Sequence, residues 1–155
     1  MTSRAEREFW NGYKMDEPRQ RMFSDSVTPV EDAGLLDLVE VPEHGVEVAP
    51  GLRLLPTPGH TPGHIAVQIS SNGQTALVTG DCIHHPIQFA HPAISSCVGI
   101  DPELSETSRR KLLGALADTD TLLLGTHFPP PTAGHVTTRE EGYRLSPVPA
   151  TPQVS

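Results

Sequence analysis

Apolar and polar residues alternate along "VEVAPGLRLLPTPG" (46–59) and "HIAVQISSNGQTALVTGD" (64–81). That period of two predicts half-buried strands over 46–48, 52–56, 64–70 and 75–79. Asn72-Gly73, between the last two, is the strongest short signal for a hairpin. "TLLLGTHF" begins with a continuous apolar run, which predicts a buried strand over 121–125 that ends in a polar turn. Helical spacing governs two other segments. Over 102–117, Asp101 stands at the N-cap and Pro102 at the first helical position, with Leu104, Leu112, Leu113 and Leu116 as the apolar stripe. Over 3–13, Ser3 and Glu6 have the spacing of a capping box. Residues 15–31 mix charges, single apolar residues and two prolines, and predict an irregular or partly helical excursion. "LSPVPATPQVS", at the end, has the composition of a disordered tail.

Between the second and third strands lies "TPGHTPGH", residues 57–64. His60 and His64 are four apart, but Pro58, Gly59, Pro62 and Gly63 forbid a helix and force a tight turn that holds His60 rigidly. Asp81 directly follows "TALVTG", and His127 directly follows "TLLLGT". Three potential metal ligands therefore each stand just beyond the C-terminal end of a predicted strand, where strand ends on one rim converge on one site. Separations of 21 and 46 residues, and cysteines without a CxxC partner, exclude a structural zinc knot.

Composition narrows the partners. The 155 residues suffice for one domain, with a core kept lean by 16 prolines and 36% hydrophobic content. A formal charge of −8 without a Lys/Arg run argues against nucleic acid and anionic membranes, and leaves a small-molecule substrate as the expected partner. Cys82 and Cys97 read as two buried, reduced thiols. With no apolar leader at 1–14 and no run of about 18 apolar residues, the expected location is the cytoplasm.

"TPGHTPGH", "TGDCIHHPIQF" and "LLLGTHFPPPTAGH", in that order, resemble the later motifs of the metallo-β-lactamase-fold hydrolases, most closely the branch of lactonases and methyl-parathion-hydrolase-type enzymes. The resemblance covers roughly 46–140 and implies an α/β (α+β) fold, the αββα sandwich, represented here mainly by its C-terminal sheet and helix half. A partial domain over 1–145 and a tail over 146–155 follow. Carried over by position, His60 resembles a ligand of a first metal, Asp81 the catalytic carboxylate that bridges two metals, and His127 a ligand of the second. His64 and His135 resemble residues that support ligands or stabilise turns. His84, with His85 and His91, falls beside Asp81 as a candidate for the substrate pocket, against surface or packing roles. His44 reads as a plain loop residue.

The resemblance implies two divalent metals, Zn first and Mn, Fe or Co as alternatives, since imidazole and carboxylate suit all of them. It implies a metal-activated hydroxide attacking an ester, lactone or phosphotriester. Relatives of this kind open their site with H-x-H-x-D-H ahead of the helix resembled by 3–13, and that string occurs nowhere in these 155 residues. The chain is therefore expected to be truncated relative to the family pattern and to bind metal weakly. It should also leave one sheet face bare, drawn from Ile65, Val67, Ile69, Leu77, Leu122 and Leu124, and so self-associate or take its missing half in trans. The alternative is a non-catalytic fragment that serves as a packing or subunit-binding module.

Overall fold

The computed structural model describes residues 1–148. In chain order the elements are β1 (Thr2–Ser3), α1 (Arg4–Gly12), α2 (Glu17–Ser26), α3 (Thr28–Asp32), β2 (Leu38–Val39), β3 (Val46–Ala49), β4 (Leu52–Pro56), β5 (Ile65–Ser71), β6 (Gln74–Val78), a 3-10 turn (Gly80–Cys82), α4 (Ile87–Ala90), α5 (Pro102–Leu116), β7 (Leu122–Leu124), β8 (Ala133–Thr138) and β9 (Tyr143–Pro147). Strands β3 to β9 form one seven-stranded sheet in sequence order, and β1 pairs only with β2. All neighbours in the large sheet are antiparallel except β6 and β7, which run parallel because α4 and α5 make the crossover between them.

The expected strands appear with ends shifted by at most one residue. Asn72 and Gly73 both take positive φ, 50° and 75°, as a two-residue hairpin loop requires. Residues 15–31, read as irregular or partly helical, are mostly helical, as α2 and α3; Asp16 caps the first by accepting from Arg19 N at 3.1 Å, and Pro18 sits in its first turn. Two readings are corrected. Strands β8 and β9 were not anticipated, and β9 takes in Ser146 and Pro147 from the segment read as a tail. The rest of that segment, 149–155, lies outside the described residues. The capping box is half formed: Ser3 accepts from Glu6 N at 3.0 Å, while the Glu6 carboxylate accepts from Trp10 and from Thr61.

The core lies between α5 and one sheet face. Leu112, Leu113 and Leu116 pack there with Ala66, Leu77, Leu123 and Val136, closed off by Ile83, Phe89 and Phe128. Leu104, read as part of the stripe, is 38% exposed. The first half of α5 instead turns Ser105, Ser108 and Arg109 inward, against loop backbone. Leu77 also belongs to the core. The other sheet face carries Val67, Val78, Ala76, Leu122 and Leu124, joined by strand register and only half buried, with Ile69 exposed. Among the described residues no helix is long and apolar enough to cross a membrane. Cys82 is buried, Cys97 is exposed rather than buried as expected, and neither is paired.

Candidate metal centre

The turn 57–64 leaves β4 and re-enters the sheet as β5, so it lies on the rim where β6 and β7 also end. It is held from both sides. Ile100 N and Asp101 N donate to the carbonyls of His60 and Gly59, both at 2.9 Å, and Ser108 Oγ donates to Pro58 O at 2.6 Å. On the other side, Ser3 Oγ, at the N-cap of α1, donates to Gly63 O at 2.6 Å, while Thr61 Oγ1 donates to Glu6 Oε2 of α1 at 2.5 Å. Gly59, at φ +134°, is required for this close approach, because a Cβ there would stand 2.2 Å from Ser105 N.

His60 thereby faces Asp81, with His60 Nε2 3.3 Å from Asp81 Oδ2. On the other carboxylate oxygen, His127 Nε2 donates to Asp81 Oδ1 at 2.7 Å. The three residues singled out from strand ends are thus brought together around one carboxylate. Burial opposes ionisation of Asp81, but the His127 hydrogen bond and the nearby His60 and His84 outweigh it and hold the carboxyl below its usual range.

His64 supports this arrangement from beneath. Its Nε2 accepts from Asp81 N at 2.8 Å, which leaves the ring proton on Nδ1 to donate to Thr57 Oγ1 at 2.8 Å. Burial holds the imidazole below the ordinary histidine range, so it stays neutral and keeps that tautomer. His84 also joins the cluster: its ring lies 5.2 Å from the His60 ring and stacks on His127 at 5.2 Å. His135 does not. It hydrogen-bonds Thr121 O at the opposite end of β7 and lines a groove of about 640 Å³ with Ile69, Gln74 and Leu122, so its expected place beside the site is corrected. His85 and His91 are exposed, and burial pushes the Cys82 thiol up to about 12, so it stays a protonated, unreactive thiol.

Residues 2–127 match the family model described as the metallo-beta-lactamase superfamily. The chain belongs to that superfamily. Comparison with curated proteins gives no match. Among solved structures, the hydrolase AbOPH in the beta lactamase superfamily superposes with a TM-score of 0.80 at 21% identity, over 97% of this chain and 55% of that one. AidC, a dizinc quorum-quenching lactonase, gives 0.77 at 22% identity, over 97% and 54%. An N-acyl homoserine lactone hydrolase with product bound at its catalytic metal center gives 0.53 at 25% identity, over 74% and 41%. The first two share the fold, and the chain spans about half the length of these neighbours.

Within this superfamily chain, the donors present suit a divalent cation. His60, Asp81 and His84 each offer a ligand atom, all within 4.8 Å of one another. His60 Nδ1 and His84 Nδ1 are buried without a hydrogen-bond partner. Imidazole and carboxylate donors of this kind serve Zn, Mn, Fe and Co.

Proposed function

We propose that this chain carries ligands of a metal-dependent hydrolase that acts on an ester, lactone or phosphotriester. The observation that supports it is the Asp81 carboxylate, faced by His60 on one oxygen and by His127 on the other. With that disposition, His60 and Asp81 would hold one divalent cation, and Asp81 with His127 would hold a second. Bound divalent cations supply Lewis acidity, which polarises a carbonyl or phosphoryl oxygen and lowers the pKa of water toward about 7. The chain's own residues orient and charge the site. His64 fixes the Asp81 backbone through Nε2, the depressed Asp81 pKa keeps the carboxylate ionised at neutral pH, and α1 and α5 clamp the turn that carries His60. This reading takes a small molecule as substrate and the cytoplasm as location, in keeping with two unpaired cysteines.

A second reading, a non-catalytic packing or subunit-binding module, is favoured by the half-exposed apolar sheet face of Val67, Val78, Leu122 and Leu124. Metal analysis separates the two. The hydrolase reading expects close to stoichiometric transition metal in chain purified without chelator, removed by Asp81→Ala; chain that carries none supports the module.

A further inference from the structure

His84 lies outside the ligand set of His60, Asp81 and His127, yet its surroundings point to a role in it. Its Nδ1 is buried without a partner. Buried polar atoms are rarely left unpaired, so an orphan of this kind calls for a water, an ion or another partner. Accidental placement in a loose loop is excluded by how the backbone is held. Gln88 Oε1 accepts from His84 N at 2.7 Å and from His85 N at 3.1 Å, and Gln88 Nε2 donates to Ile94 O at 2.7 Å. Gln88 itself is 2% exposed. One residue before His84's neighbour Ile83, the Cys82 carbonyl accepts from buried Arg109 at 2.8 Å.

We infer that His84 is a third protein ligand for a divalent cation held by His60 and Asp81, giving this chain a two-histidine, one-carboxylate site of its own. The inference rests on the metal reading above and goes beyond its ligand set. A tetrahedral site with bonds of about 2.1 Å has ligand-to-ligand edges of about 3.4 Å. The edge between His60 Nε2 and Asp81 Oδ2, 3.3 Å, already has that length, so Nε2 is the donor on His60. The remaining edges, at most 4.8 Å, close by side-chain rotation of roughly an ångström. His127, hydrogen-bonded to the other Asp81 oxygen and stacked on His84, flanks this site rather than completing it.

Cobalt(II) titration of the full chain tests the assignment, with visible absorption as the readout of coordination. The expected result is that His84→Ala weakens Co²⁺ binding at least tenfold and changes the visible spectrum, as His60→Ala does, while His135→Ala leaves both unchanged. Wild-type affinity and spectrum in His84→Ala, with binding lost in His60→Ala and Asp81→Ala, would overturn the role of His84 and leave the metal reading standing. Unchanged binding in all of these variants would remove both. Should His84→Ala fail to fold, ¹⁵N NMR of the wild-type histidine rings decides. Zinc must then shift a His84 ring nitrogen as strongly as a His60 one, and an unmoved His84 refutes the proposal.

Discussion

Gly80 stands between β6 and Asp81 at φ +54°, and a Cβ there would meet His64 Nε2 at 2.7 Å. That nitrogen is the acceptor that fixes Asp81 N, so Gly80→Ala attacks the support of the carboxylate as well as the backbone. A cost of about 1–3 kcal/mol is expected in urea unfolding, together with weakened zinc uptake. Retained stability and uptake would show that the turn tolerates a side chain. His64 also sets a pH dependence. Its folded pKa lies below its unfolded value of about 6.5, so the unfolded state takes up the proton first. The stabilisation is complete above about pH 6.5 and is lost as pH falls through the folded value. His84, depressed by burial as well, acts in the same direction. The thermal midpoint should therefore fall between about pH 7.5 and 5, and the slope should be shallower in His64→Asn. An equal slope in the variant would assign the effect elsewhere.

Helix α5 does two jobs along its length. Its second half buries leucines against the sheet, while its first half turns Ser108 and Arg109 onto the two loops that carry the site. The Arg109 guanidinium, 1% exposed, donates to Pro92 O and Cys82 O at 2.8 Å each and to Ser95 Oγ at 3.2 Å. Arg109→Met should cost on the order of 3 kcal/mol, because buried carbonyls lose a charged donor. Faster amide exchange confined to 82–95 would be its signature, and exchange unchanged there would contradict the positioning role. Sequence pattern reached this architecture unevenly. Strands β4 to β7 and α5 were legible because their apolar periods are strong and their turns carry Asn-Gly, Pro and Asp signals. Strands β8 and β9 were not: Gly134, His135, Thr137 and Ser146 give little apolar alternation, and β8 takes its register from β7 and β9 from β8. Helix α2 buries no residue, so an apolar stripe was absent, although Asp16 and Pro18 marked its start. His60, Asp81 and His127 were legible from their places after strands. The position of His84 depends on Gln88, four residues on, and on Arg109 of α5 holding the Cys82 carbonyl, and no apolar period records those polar contacts.

At the scale of the whole molecule, one sheet face lacks a covering layer among the described residues. Val67, Val78, Leu122 and Leu124 are half buried and Ile69 is 43% exposed. Contiguous apolar surface of this kind is uncommon on soluble monomers. Self-association through that face is expected, seen by light scattering as a mass above 16.7 kDa and reversed by Val67→Lys with Leu124→Lys. A monodisperse monomer with a cooperative transition would contradict it. Since the H-x-H-x-D-H string is absent from these 155 residues, low hydrolysis of lactones or aryl phosphotriesters is expected even with zinc or manganese added. Metal-dependent turnover at rates usual for enzymes, lost in Asp81→Ala, would show that this half suffices. The central claim is that the rim around Asp81 holds metal, and anomalous diffraction at the zinc edge from zinc-loaded crystals tests it most directly. The account predicts a peak within bonding distance of the Asp81 carboxylate and His60, with the His127–Asp81 hydrogen bond lengthened or replaced. Peaks only at other histidines such as His135 or His44, with that 2.7 Å hydrogen bond intact, would contradict it.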